Sequence, residues 1–198
     1  MQAQPGGHGA ARERAIDEML AKQQIYDVLC RYCHGIDRCD VTMLKSAYWP
    51  DAYEEHGTFD GKSWDFADHM TGTMKQGLLR STQMIGNALI EIDLDGNRGR
   101  GETYVVAYLQ AEEGGKVIDR TVGGRYLDRF ERRQDEWRIL RRLYVLDWNR
   151  NEESTAIWDE GLFALLKVRG ARHPADPWDL GQPRHAGCSA DDMGSRKP

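Results

Sequence analysis

The second half of the chain narrows the choice of fold more than any other feature. Four extended segments, MIGNALIEID, RGETYVVAYLQ, KVIDRTVGGRYLDRF and WRILRRLYVLDWN, follow one another and are separated by LDGN, EEGG and RRQDE. Each separator carries turn residues suited to a hairpin, so the four segments are expected to form an antiparallel meander. Each segment is also longer than an ordinary strand of about five to six residues, which predicts a long, twisted and strongly curved sheet. The Gly123-Gly124 pair inside the third segment predicts a bulge or bend that lets the sheet wrap. A wrapped sheet packed on helices leaves a cavity.

The first half supplies the helices. From Glu13 onward Ile25, Val28, Leu29, Tyr32 and Ile36 recur at helical spacing and predict a long helix with one stripe toward a core. Gly35 weakens its end and Asp37 falls at its exit. Asp40 is placed to cap a short second helix, VTMLKSAY, closed by Pro50. DAYEEHGTFDG then reads as two short extended pieces punctuated by Gly57 and Asp60-Gly61. A third helix, WDFADHMTGTMKQGLL, is expected with Ser63 as its cap and Phe66, Met70, Met74 and Leu78 as its core stripe; His69 lies at the boundary. IWDEGLFALLK suggests a short terminal helix.

A chain of 198 residues is enough for one domain with a real core. The reading is a flexible tail over residues 1–12, a domain over 13–168 and a strap or disordered tail over 169–198. A net charge of -5 argues against nucleic acid or an anionic membrane as a partner. No apolar run reaches the length of a membrane span, and the N-terminus has no apolar signal core, so a cytoplasmic address is expected. Gly-rich phosphate loops, the G-x-S-x-G elbow, HExxH and dinucleotide fingerprints do not occur.

The stretch CRYCHGIDRCD contains Cys-x-x-Cys-His, the pattern of covalent haem attachment. Haem attachment and disulfides both belong outside the cytoplasm, and a zinc site would need a second ligand pair that never follows. Cys30, Cys33, His34 and Cys39 are therefore read as ordinary residues on a helix, with no metal and no cofactor expected.

The segments IYDVLCRYCHGIDRCD, YWPDAYEEHGTFDG, TQMIGNALIEIDLDGNRGRGETYV, GGRYLDRFERR and EWRILRRLYVLDWNR, in that order, resemble the SnoaL-like and scytalone dehydratase-like branch of the nuclear transport factor 2-like superfamily. The resemblance runs from about residue 13 to residue 150. It implies an α+β fold in which a cone-shaped curved antiparallel sheet, a cystatin-like α+β barrel, wraps around three N-terminal helices. It also implies an apolar pocket, assembly into homodimers or homotrimers, and in many members cofactor-independent catalysis: dehydration, dehydrohalogenation, isomerisation, cyclisation, or loss of formaldehyde from diarylpropanes.

Tyr32 and Asp37 match, in position and spacing, the tyrosine and aspartate that face the pocket in dehydratase-like members. The helical wheel alone does not aim Asp37 inward; that step rests on the resemblance. The chain departs from the pattern at Gln83, where such members carry a histidine four residues before the equivalent of Asn87, and at Trp49, where another histidine is familiar. Glutamine orients a hydroxyl or carbonyl but cannot shuttle protons. The histidine retained from the pattern is His56, and strand alternation sets it on the same face as Glu54 and opposite Glu55.

The expected catalytic residues are thus Asp37, Tyr32 and His56. Tyr48, Trp49, Gln83, Asn87, Tyr104 and Tyr108 are expected to hold a small aromatic substrate. Elimination needs a base at an acidic C–H or phenol, an acid at the leaving oxygen and an apolar enclosure. These point to a lyase of aromatic compound catabolism that releases water or formaldehyde from a hydroxylated phenolic compound. The competing readings are an isomerase or cyclase of polycyclic or steroid-like compounds, a non-catalytic binding or assembly domain, and the small subunit of a ring-hydroxylating dioxygenase. Arg125, Arg129, Arg132, Arg133, Arg138, Arg141 and Arg142 read as a solvated or subunit-facing surface, and Asp147 as either a turn partner for Arg150 or a pocket group.

Overall fold

The computed structural model describes residues 7–181, and these divide into two compact units, one ending at Thr155 and one beginning at Ala156. In the first unit α1 (Gly7–Arg38) and α2 (Val41–Ser46) lead into β1 (Tyr48–His56) and β2 (Phe59–Lys62). Then come α3 (Ser63–Gly77) and four long strands, β3 (Arg80–Asp93), β4 (Arg98–Glu113), β5 (Lys116–Arg133) and β6 (Glu136–Glu153). Among its described residues the second unit holds a 3-10 turn, Gly161–Leu165, where a terminal helix was expected. Residues 1–6 and 182–198, to which most of the predicted tails belong, lie outside the described residues. No helix among the described residues is long and apolar enough to cross a membrane.

The first helix begins at Gly7 and not at Glu13. Ala10, Ala11, Arg12, Glu13 and Arg14 are good helix formers, and the helix runs back through them. At its other end Gly35 marks a close approach: a Cβ there would lie 2.6 Å from the Leu44 backbone nitrogen, so α2 can pack against α1 only over a bare backbone. Asp40 caps α2, its carboxylate accepting the Met43 N–H at 2.9 Å. Ser63 is the opening residue of α3, not its cap. The capping position is Lys62, which makes no side-chain cap bond.

The six strands form one mixed sheet in the order β2-β1-β6-β5-β4-β3. The pair β1–β6 is parallel and the others are antiparallel. Hairpin turns with positive φ at Asn97, Gly114-Gly115 and Gln134-Asp135 join the four long strands, at the three sites read from the sequence. The predicted irregularity at Gly123/Gly124 is present, and a second one separates Arg129 from Phe130.

One face of the sheet packs on the helices. Ile25, Leu29, Tyr32 and Ile36 of α1, Leu44 of α2 and Phe66 of α3 meet Val105, Tyr126, Phe130, Trp137 and Ile139 in a single buried cluster. The apolar stripes of the helices and the inward positions of the strands thus satisfy one another.

Candidate active site

Three charged residues lie abreast on the inner face of the sheet. Asp128 of β5, Arg142 of β6 and Glu54 of β1 are paired through their Cα positions. Arg142 and Glu54 are completely buried, and Asp128 nearly so. Arg142 donates through Nε and Nη2 to the two Asp128 oxygens, each at 2.7 Å. Its guanidinium carbon sits 4.0 Å and 3.9 Å from the ring centres of Tyr32 and Tyr126. The cation is therefore held by one bidentate carboxylate and two aromatic faces.

Placing Arg142 here corrects the reading of the late arginines as a solvated surface. From Trp137 and Ile139, strict alternation would turn Arg141 inward. Phe130 pairs with Ile139, but its neighbour Arg129 pairs with Arg141, which leaves Leu140 as an extra residue and shifts the inward phase to Arg142 and Tyr144. Asp147 accepts from Arg125 at 2.8 and 2.9 Å, so its described ion partner is Arg125 and not Arg150.

Glu54 connects the charged row to a histidine. Its Oε2 accepts the Tyr48 hydroxyl at 2.7 Å, and its Oε1 lies 2.9 Å from His56 Nδ1. A carboxylate only accepts, so this bond places the proton on Nδ1 and leaves Nε2 as the basic nitrogen. The imidazole lies flat against Tyr144, with ring centres 4.4 Å apart and planes 8° apart, and stacks on Phe66 at 5.2 Å. Tyr144 in turn occupies the space over Gly124, where a Cβ would come within 2.8 Å of its hydroxyl. One row beyond, Leu146 is 55% exposed, so the inner face meets solvent next to the His56–Tyr144 stack.

Asp37 sits at the end of α1, nearly buried, and its Oδ2 accepts the Gln83 backbone N–H at 2.7 Å. The Ser81 hydroxyl donates to the Asp37 carbonyl at 3.3 Å. The bond to β3 turns this carboxylate toward the sheet and brings Gln83 beside it. The structure therefore brings together Asp37 with Gln83, and separately Tyr48 and Tyr32 with the Glu54–His56 pair.

Other sequence-predicted residues are arranged differently. Tyr32 is 0% exposed, so no water-sized space reaches its hydroxyl, and burial and the nearby Glu54 carboxylate hold its phenol well above the ordinary range. It is a packed wall of the Arg142 site and does not face an open pocket. Trp49 donates to the Glu131 carbonyl at 2.9 Å and carries Arg133 and Arg138 on its ring. Tyr104 is half exposed on the face of the sheet away from the core. Tyr108 bonds Asp119 at 2.7 Å, and burial together with that carboxylate pushes its phenol up to about 12. Asn87 is exposed at the irregularity between Ile85 and Ala88. Trp49, Tyr104, Tyr108 and Asn87 are not gathered around the His56 site. Reasoning from the sequence missed Tyr144, Tyr126, Arg142 and Asp128; the pairing of Glu54 with His56 was visible in their spacing of two on one strand.

The Cys-x-x-Cys-His motif is split by the helix it lies on, with Cys30 exposed and Cys33 buried. Burial pushes the Cys33 thiol up to about 12, which leaves almost no thiolate at neutral pH. In the folded protein Cys30 is expected to be alkylated by iodoacetamide at least about 100-fold faster than Cys33, read by peptide mass mapping. Equal rates at the two positions would contradict the described packing of α1.

A family model of the SnoaL-like domain matches residues 17–143. No curated protein matches the sequence. Among solved structures, the chain is similar to a protein of Novosphingobium aromaticivorans DSM 12444 provisionally described as a scytalone dehydratase. The two are 14% identical with a TM-score of 0.60, over 70% of this chain and 91% of that one. A type 2 hexachlorocyclohexane dehydrochlorinase, LinA, is 18% identical with a TM-score of 0.60, over 70% and 92%. A nuclear transport factor 2-like protein of Salmonella enterica serovar Typhimurium is 20% identical with a TM-score of 0.58, over 72% and 99%. At these identities the likeness is one of fold: three helices followed by a curved, unclosed mixed sheet, the α+β cone.

Proposed function

The chain belongs to the SnoaL-like domain family, and from that membership together with the inner-face chemistry we propose that it is a cofactor-independent lyase of small hydroxylated aromatic compounds. The observation that carries this reading is the buried Glu54 carboxylate bonded to Nδ1 of His56, beside the point where the inner face opens. In an elimination His56 Nε2 takes the proton from an acidic C–H or phenol. The freed electron pair forms the new double bond, the C–O bond breaks, and the departing oxygen takes the proton back from the His56 imidazolium, so that water leaves and the histidine returns to its neutral form. The imidazolium formed in the transition state meets a carboxylate already in place, which needs no reorganisation.

The dyad answers the departure at position 83. With glutamine there, the proton-transferring group is His56 on β1, and Gln83 instead fixes Asp37 through its backbone amide. Asp37 is the second carboxyl available to the reaction. Tyr48 acts through Glu54, and Tyr32 is a positioning residue through Arg142. The stacked rings of His56, Phe66 and Tyr144 favour a flat, apolar substrate. The reaction proposed is release of water or formaldehyde in the catabolism of aromatic compounds.

The test is a panel of phenolic β-hydroxy and diarylpropane compounds, with products identified by mass and no metal or cofactor added. Loss of water or of formaldehyde from a panel member is the expected result, and Asp37→Asn is expected to lower that rate by about 10²-fold with the circular dichroism unchanged. Full activity in Asp37→Asn would remove Asp37 from the reaction. Failure of the whole panel, with no binding of any member, would contradict the assigned substrate class.

A further inference from the structure

His56 and Tyr144 lie flat against each other, with ring centres 4.4 Å apart and planes 8° apart, so a substrate meets them along their shared edge and not between them. The direction of that edge follows from two contacts. Nδ1 of His56 faces back along β1 to Glu54, in the buried row of Asp128 and Arg142, and Nε2 therefore points forward, away from that row. β1 and β6 run parallel, so forward along β1 is also forward along β6, toward Leu146. The Tyr144 ring leans the same way. It ends over Gly124, the partner of Leu146 one row further on, where a Cβ would come 2.8 Å from the phenol oxygen. The basic nitrogen and the hydroxyl are thus turned to the same side, where the 55% exposure of Leu146 opens the inner face.

The tyrosines around the charged row differ in what their hydroxyls can reach. Tyr32, Tyr48 and Tyr126 are buried, and the Tyr48 hydroxyl is committed to Glu54. Tyr144 is only partly buried, and among the described residues its hydroxyl makes no hydrogen bond. Burial, and after it the Asp147 carboxylate, raise its phenol above the ordinary range, so at neutral pH the group is a donor. We propose that the Tyr144 hydroxyl holds the departing oxygen of the substrate beside His56 Nε2, which makes it a further catalytic residue of the lyase proposed above, on whose reaction this inference rests. Tyr144 donates a hydrogen bond and keeps its own proton. The C–O bond breaks toward that donor, the oxygen carries away the electron pair, and the proton that completes water comes from the His56 imidazolium. A donor already aimed at the oxygen stabilises the charge that grows there as the bond stretches. The arrangement also narrows the substrate. Because base and donor act at one edge, the hydrogen removed and the oxygen lost lie on neighbouring carbons, as in a phenolic β-hydroxy compound, and not at opposite ends of an aromatic ring.

Infrared difference spectra of bound 4-hydroxyacetophenone, labelled with carbon-13 at the carbonyl, test the contact without turnover. The ketone oxygen stands where a departing benzylic oxygen would and cannot leave. In the wild type the carbonyl stretch is expected to lie below its value in an apolar solvent. In Tyr144→Phe, which keeps a ring against His56, that shift is expected to be lost and binding to weaken about 5- to 10-fold, with circular dichroism unchanged. On a panel compound that reacts, the same variant is expected to lower kcat by about 10- to 10²-fold. Equal carbonyl frequencies in the two proteins would overturn the assignment, as would failure of the ketone to bind the wild type. So would a Tyr144→Phe enzyme that turns over at the wild-type rate. A carbonyl shift that depends on Tyr144, in a chain that turns over no panel compound, would uphold the contact and remove the lyase reading instead.

Discussion

Replacing His56 by glutamine is expected to lower turnover by about 10²- to 10⁴-fold, the range that a positioned general base contributes. Glutamine can keep a hydrogen bond to Glu54 but cannot accept and release a proton near neutral pH. Glu54→Gln is expected to produce a smaller loss. It keeps an acceptor for Nδ1 but removes the charge that meets the imidazolium and alters the bond from Tyr48. The measurement is the single-turnover rate on whichever panel compound reacts, with thermal melts to show that each variant is folded. A His56→Gln enzyme that turns over at the wild-type rate would end the assignment of His56 as the base. If Glu54→Gln proved more damaging than His56→Gln while still folded, the buried carboxylate would have to be acting directly.

The second large effect concerns stability. Arg142→Met removes the partner of Asp128 and leaves that carboxylate buried beside Glu54, and the expected loss is about 3–5 kcal/mol of unfolding free energy. Burial raises the Asp128 carboxyl above its ordinary value, and the charge and hydrogen bonds of Arg142 oppose that rise. The double variant Arg142→Met, Asp128→Leu is expected to recover much of the loss, because both buried charges go together and the volumes stay similar. Urea melts of the three proteins decide it. A single variant within about 1 kcal/mol of wild type would show that the guanidinium does not carry the charge balance of the row.

Legibility varied along the chain for identifiable reasons. The four long strands and their turns announce themselves because hairpin chemistry and alternation are local properties. The Asp40 cap is equally local. Glu54 and His56 were placed on one face by a spacing of two, and that is where they meet. Tyr32 shows two kinds of inference disagreeing. Helical spacing placed it in the core stripe with Ile25, Leu29 and Ile36, the resemblance placed it in an open pocket, and its complete burial follows the spacing.

The sequence by itself determined the order of elements, the curvature implied by strand length and the Gly123-Gly124 irregularity, and the placing of Glu54 and His56 on one strand face, since each depends on residues within a few positions of one another. Only the tertiary structure decided that Arg142 turns inward, that Tyr104 turns outward and that Asp37 is held by the backbone of β3. Each of those depends on which residue of another strand or helix lies opposite. A single extra residue at Leu140 reverses the facing of everything after it, and that slip is set by the pairing with β5, not by the residues of β6 alone.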